Sequence, residues 1–118
     1  AVLAIQGLEF PALHYMIAAA GGAPIRCAPY HTYGTAALSA AAVEALEGRK
    51  ACLLEHHGLL AFEHNLDKAM WLAGEVETLA QQMVMCLSLG GPRVLPAAEI
   101  AVVVDKFSRY GLKSRTPR

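Results

Sequence analysis

The 118 residues are 55% hydrophobic and 17% charged, one domain's worth of chain with enough apolar material for a core. Ten basic residues balance ten acidic ones, and no basic run gives a nucleic acid an electrostatic foothold. No stretch approaches the ~18 uninterrupted apolar residues of a membrane helix, and the apolar start has neither the basic leader nor the cleavage site of a signal peptide, so no nucleic acid or membrane partner is expected.

In chain order, the opening "AVLAI" begins on Ala1 rather than Met and reads like the middle of an element, so a longer parent sequence is expected. "FPALHYMIAAAGG" (Phe10 to Gly22) is a short apolar run closed by two glycines, and periodicity leaves strand and buried helix both open. "APIRCAPYHTYGT" reads as a strand feeding an irregular loop. Thr35 or Ser39 can cap a helix running to about Glu47, with Gly48 placed to end it. "KACLLEHHGLLAFE" is a pair of short β runs broken at Gly58.

The clearest helix follows. Asn65 is a good N-cap, and Asp67 places a carboxylate in the first turn, where the helix dipole favours it. Apolar residues recur at Leu66, Ala69, Met70, Ala73, Val76, Ala80, Met83, Val84 and Leu87, which predicts one buried face over about 35 Å of helix. Gly90, Gly91 and Pro92 stop it. Pro96 opens a last helix with Glu99 in its first turn, and Gly111 is expected to end it, leaving a frayed polar tail. Cys27, Cys52 and Cys86 are odd in number and set among apolar residues, as expected of reduced core thiols in a cytoplasmic protein.

"LLEHHGLLAF" (Leu53 to Phe62) carries the chemical question, because an apolar strand has little reason to hold two imidazoles. If the backbone is extended there, His56 and His57 point to opposite faces and only one can look into a given site. Neutral imidazole is the commonest protein ligand for zinc, and Gly58 would let backbone or ligand approach closely. Against this, a lone histidine near a core is more often a hydrogen-bonded packing residue. A catalytic zinc wants about three protein ligands, and no H-x-H or H-x-x-x-H pair accompanies His57, while His14, His31 and His64 are scattered over other elements.

The segment "APYHTYGT…LSAAAVEALEGRKACLLEHHGLLAFEHNLDKAMWLAGEVETLAQ" resembles the class II aldolase/adducin family, and "HYMIAAAGG" and "EIAVVVDKFSRYGL" extend the likeness over nearly the whole chain. The resemblance implies an α/β fold with a mainly antiparallel sheet flanked by helices, of which residues 1–118 are the C-terminal portion of a single domain. It further implies a zinc-dependent aldolase acting on a sugar phosphate, assembled as a homotetramer with sites at subunit interfaces. His57, the residue before the glycine, would be one of three zinc ligands. The other two, in an H-x-H motif, together with the acidic base and the phosphate-binding loops, belong to an N-terminal half that this sequence lacks, so the fragment alone is expected to be inactive and to hold no catalytic zinc.

By the same resemblance Tyr15 lies beside the aldehyde portion of the substrate. Tyr110 would reach into a neighbouring subunit's site and donate a proton, as a phenol with pKa about 10 can. Without the resemblance, Tyr15 would be a core residue and Tyr110 a helix-end residue with a wet hydroxyl. Tyr33 is assigned to wall or packing, His31 to a solvated loop, and Glu75 and Glu77 to surface charge, since residues two apart on a helix diverge. Two other readings come with the family: a sugar-phosphate 4-epimerase sharing the zinc and the retro-aldol chemistry, and an adducin-like binding and assembly head without catalysis. "RYGL" favours the aldolase over the first, and the retained His57 argues against the second.

Overall fold

In the sequence AlaCysLeuLeu, successive side chains must face opposite ways once the backbone extends, and both faces of that strand are covered. The structure, a computed structural model, describes the backbone of residues 1–115 and the side chains of residues 1–109. Strand β2 (Ala51–Leu54) sends Ala51 and Leu53 into one apolar cluster and Cys52 into another on the reverse face. It lies between β1 (Cys27–Ala28) and β3 (Gly58–Ala61).

The β2–β3 pair is an antiparallel hairpin with Ala51 opposite Ala61 and Leu54 opposite Gly58. The β1–β2 pair is parallel, with Cys27 opposite Leu53 and Ala28 opposite Leu54. The α/β class with flanking helices is therefore observed, and the sheet in these residues is mixed. Helix α2 (Ala36–Ala45) connects β1 to β2, and two adjacent strands joined through a crossover helix run parallel.

Helix α2 begins where Thr35 Oγ1 accepts the Leu38 amide at 3.2 Å, and ends two residues before the expected Glu47. It covers Cys52 and Ala28 through Ala45. The opposite face carries α1 (Val2–Gln6), a 3₁₀ turn (Tyr15–Ala20), α3 (Leu66–Leu87) and α4 (Ala97–Arg115). Leu3, Phe10, Ile17, Ile25, Leu72 and Val76 are fully buried there. The ambiguous run after Phe10 resolves into a single antiparallel bridge, Phe10 to Ile25, followed by the 3₁₀ turn, whose cap is the His14 ring: Nδ1 accepts the Met16 amide at 3.0 Å.

Asn65 caps α3, its Oδ1 accepting the Lys68 amide at 2.9 Å. The buried stripe of α3 is Leu72, Val76, Leu79, Ala80 and Met83, while Leu66 and Met70 are 88% and 74% exposed. The apolar positions expected to form one face thus straddle two. Gly111 does not end α4, which runs on to Arg115, because one glycine costs a helix interior only about 1 kcal/mol against alanine.

One ion pair ties the hairpin together: Lys50 Nζ lies 2.8 Å from Glu63 Oε2, at the two outer ends of β2 and β3. Burial pushes the Glu63 carboxyl up, but the hydrogen bond from Lys50, the His64 amide and the nearby positive charge outweigh it and hold the group below the ordinary carboxylate range. A lowered folded-state pKa adds stability that is present above the unfolded value, about 4.3, and lost as pH falls through the folded one. Glu63→Gln should therefore lower stability at neutral pH by up to about 1 kcal/mol and change it less below pH about 4. Urea midpoints across pH 3–7 at fixed protein concentration check this, and an equal loss at every pH would contradict it.

Candidate functional site at the histidine turn

The two histidines do not lie on a strand. Glu55, His56 and His57 form the turn of the β2–β3 hairpin, and His56 holds a left-handed backbone with φ +61. The extended geometry that would have sent the two rings to opposite faces is therefore absent. Both rings instead gather at Tyr30, in the loop after β1. The His57 ring stacks on Tyr30 with centroids 5.3 Å apart and planes 9° apart. The His56 ring meets the same tyrosine edge-on at 5.9 Å and 79°. All three residues are exposed, Tyr30 by 49%.

Every amide of the turn finds a carbonyl. Glu55 N–H donates to Ala28 O at 3.0 Å, His56 N–H to Ala4 O at 3.0 Å, and His57 N–H to Leu54 O at 2.9 Å. The Ala4 carbonyl belongs to the end of α1, whose cap Gly7 has φ +67. The left-handed backbone favours glycine at Gly7, and a side chain there would displace the Glu55 carboxylate from its place beside the cap. Gly58 answers a different need from the one its position suggested. With φ +150 it adopts a backbone that side chains disfavour, and no described atom lies within 4 Å of where its Cβ would be, so the turn itself asks for glycine there.

The His57 ring is also fixed by a bond. Its Nε2 lies 2.9 Å from the His31 carbonyl oxygen. An acceptor-only carbonyl requires Nε2–H as donor, which in the neutral ring leaves the lone pair on Nδ1. A neutral imidazole tethered through one nitrogen to a backbone carbonyl is the arrangement that ligating histidines commonly use to fix ring and tautomer. His31, expected as a plain loop residue, contributes this carbonyl.

The remaining expectations divide. Tyr15 is 50% exposed, begins the 3₁₀ turn, and packs edge-on against Phe107 of α4 and stacked on His14. Its contacts are thus with α4 and the 3₁₀ turn, whereas His57 is held by the hairpin and the loop after β1. The Tyr110 side chain lies outside the described residues. Tyr33 is 75% exposed. Burial raises the Cys27 thiol, with Glu55 and Glu9 adding to it, and burial pushes Cys52 up to about 11, so neither is a ready thiolate.

Among the described residues no three His, Cys, Asp or Glu side chains converge on a point that would hold a metal. Zinc in a catalytic site takes three protein ligands. These residues therefore fit one ligand, His57, and not a whole metal site. Tyr30, Glu55 and the carbonyls of Ala4 and His31 were not singled out by sequence. What brings Tyr30 to the turn is the parallel register: Ala28 stands opposite Leu54, and two residues further on lie Tyr30 and His56. That register is a tertiary fact with no local signal.

A family profile described as class II aldolase and adducin N-terminal domain matches residues 1–84. The L-fuculose phosphate aldolase of Escherichia coli (strain K12) is 55% identical over 112 residues, which are 94% of this chain and 52% of that protein. A 5-methylthioribulose-1-phosphate/5-deoxyribulose-1-phosphate aldolase of Rhodospirillum rubrum is 51% identical over 116 residues, 98% of this chain and 52% of that protein. A solved structure of an L-fuculose 1-phosphate aldolase superposes with a TM-score of 0.86 at 44% identity, covering 91% of this chain and 50% of the other. The chain thus spans about half the length of the relatives it matches.

A non-glycine residue held left-handed costs about 1–2 kcal/mol, and a β-branched one more. His56→Val should therefore lower the melting temperature and disturb the turn, while His56→Gly should leave stability within about 1 kcal/mol of the parent. Thermal unfolding of the two variants at matched concentration checks this. Equal losses in both would show that the His56 ring, not its backbone, matters to stability.

Proposed function

The chain belongs to the class II aldolase and adducin family, and from that premise we propose that it is about half of a metal-dependent aldolase, with His57 as one of the metal's ligands. The substrate proposed is L-fuculose 1-phosphate, cleaved between C3 and C4 to dihydroxyacetone phosphate and L-lactaldehyde. The observation that carries the reading is the His57 imidazole, tethered by its Nε2 to the His31 carbonyl on a turn whose three amides are all bonded. Identity of 55% to an L-fuculose phosphate aldolase supports the substrate.

The metal, proposed as zinc, would supply Lewis-acid stabilisation of the negative charge that develops on the ketose oxygens. This chain's share is narrower. His57 offers one neutral lone pair, on the ring nitrogen its tether leaves free. Tyr110 is proposed to give a proton to the aldehyde oxygen of a neighbouring subunit's substrate, and Tyr15 to flank the aldehyde carbons. The other ligands lie outside this chain, and a homotetramer with shared sites is part of the proposal. A second substrate has support of its own, since a relative 51% identical is a 5-methylthioribulose-1-phosphate/5-deoxyribulose-1-phosphate aldolase. Those ketoses share the dihydroxyacetone phosphate half with fuculose 1-phosphate and differ in the aldehyde released. In the whole enzyme carrying this segment, release of dihydroxyacetone phosphate from each of the three, assayed side by side, ranks them, and no release from any would reject the aldolase reading.

In the whole enzyme carrying this segment, His57→Ala should lose metal and cleavage activity together. Tyr110→Phe should keep the metal and lose about 10²–10⁴ in rate, the usual worth of a positioned proton donor. Coexpressing the two variants should restore part of the activity, because mixed assemblies pair an intact ligand with an intact tyrosine. Full metal retention in His57→Ala would overturn the ligand assignment, and no gain in verified mixed assemblies would overturn the shared site.

A further inference from the structure

The Tyr30 amide lies past the end of β1, where no strand partner remains for it, and it donates instead to Glu55 Oε1 at 3.0 Å. The other carboxylate oxygen of Glu55 fills the space that Gly7 leaves empty at the end of α1. One side chain therefore ties the loop that carries Tyr30 to the turn that carries His57, with the cap of α1 as its backstop. The rings follow from that tie. Tyr30 lies flat on the His57 imidazole, and the carbonyl that accepts from His57 Nε2 belongs to the very next residue, His31. Moving residue 30 moves both the face and the tether of the imidazole.

We propose that Glu55 is a positioning residue for His57: by accepting the Tyr30 amide it holds the loop of Tyr30 and His31 in the place that fixes the imidazole's orientation and tautomer. This rests on the reading of His57 as a metal ligand for its importance, though not for its geometry. Glu55 acts as a hydrogen-bond acceptor and not as a charge. Its bonding partner is a neutral amide, and among the described residues no Lys, Arg or His nitrogen forms an ion pair with it. Glutamine has the same reach and the same acceptor oxygen, so it should serve equally well. Alanine leaves the Tyr30 amide to water and the loop free to drift.

The test compares Glu55→Gln and Glu55→Ala by long-range ¹H–¹⁵N spectra of the histidine rings and by hydrogen exchange of the Tyr30 amide. The Gln variant should keep a single Nε2–H tautomer at His57 and a protected Tyr30 amide. The Ala variant should show exchange between tautomers and an unprotected amide. In the whole enzyme the Ala variant should also bind the metal about 10- to 100-fold more weakly, the usual effect of losing a group that orients a ligand, and the Gln variant should bind it normally. If the Ala variant does not fold, Glu55→Asp decides: it keeps the charge, falls one methylene short, and should behave as described for alanine. An unchanged His57 tautomer in the Ala variant, or failure of the Gln variant while Asp succeeds, would overturn the proposal. A fixed tautomer that depends on Glu55 as described, in an enzyme that keeps its metal after His57→Ala, would instead leave this proposal standing and reject the aldolase assignment of His57.

Discussion

Three residues, Glu55 to His57, must reverse the chain between β2 and β3, and they do so by putting a histidine into the left-handed region. That conformation costs about 1–2 kcal/mol. It is held by hydrogen bonds from outside the hairpin: the Ala28 carbonyl of β1 takes the Glu55 amide, the Ala4 carbonyl of α1 takes the His56 amide, and Glu55 itself takes the Tyr30 amide. At about 1 kcal/mol net for each such bond, these contacts outweigh the strain. The turn is thus a product of the tertiary structure, and the two imidazoles stand where α1, β1 and the hairpin meet.

The rest of the fold supplies those partners. Burying Leu3 brings the end of α1 to the turn, and Ala51 and Leu53 lie in the same apolar cluster. The parallel pairing of β1 with β2 sets Tyr30 beside the histidines, and α2, packed behind Cys52 and Ala28, sets that pairing. The backbone strain at His56 falls beside the proposed ligand, which is where such strain tends to persist in functional sites. Many large apolar side chains remain on the surface, among them Val2, Ile5, Phe62, Leu66, Met70 and Trp71.

Sequence carried the elements whose signals are local. Asn65 caps α3 as expected, Thr35 is the one of the two candidates that caps α2, Gly48 follows the end of α2, and two short β runs flank the histidine pair. Where the signal was not local it misled or was silent. The α3 stripe was misplaced because apolar residues lie on more than one side of that helix, and only packing shows that Leu72 and Leu79 are inside while Leu66 and Met70 are not. The sequence reads the histidines as strand residues because nothing in "LLEHHGLL" announces a turn before its glycine. The resemblance carried by "EHHGLL" singles out His57 by residue identity rather than by conformation, so the turn leaves that expectation as it stands. Glu55 and Tyr30 escaped notice because their roles exist only once β1 and β2 are paired.

In the proposed site one imidazole of the pair is a metal ligand and the other is structural. Cobalt(II) in place of the native metal in the whole enzyme tests it most directly, because a paramagnetic ion shifts the ring protons of the imidazole bound to it far outside the normal spectrum. Assigned through His56→Gln and His57→Gln variants, a hyperfine-shifted set should belong to His57, with the His56 ring resonances remaining in the ordinary range. A shifted ring assigned to His56, or to neither, would contradict it.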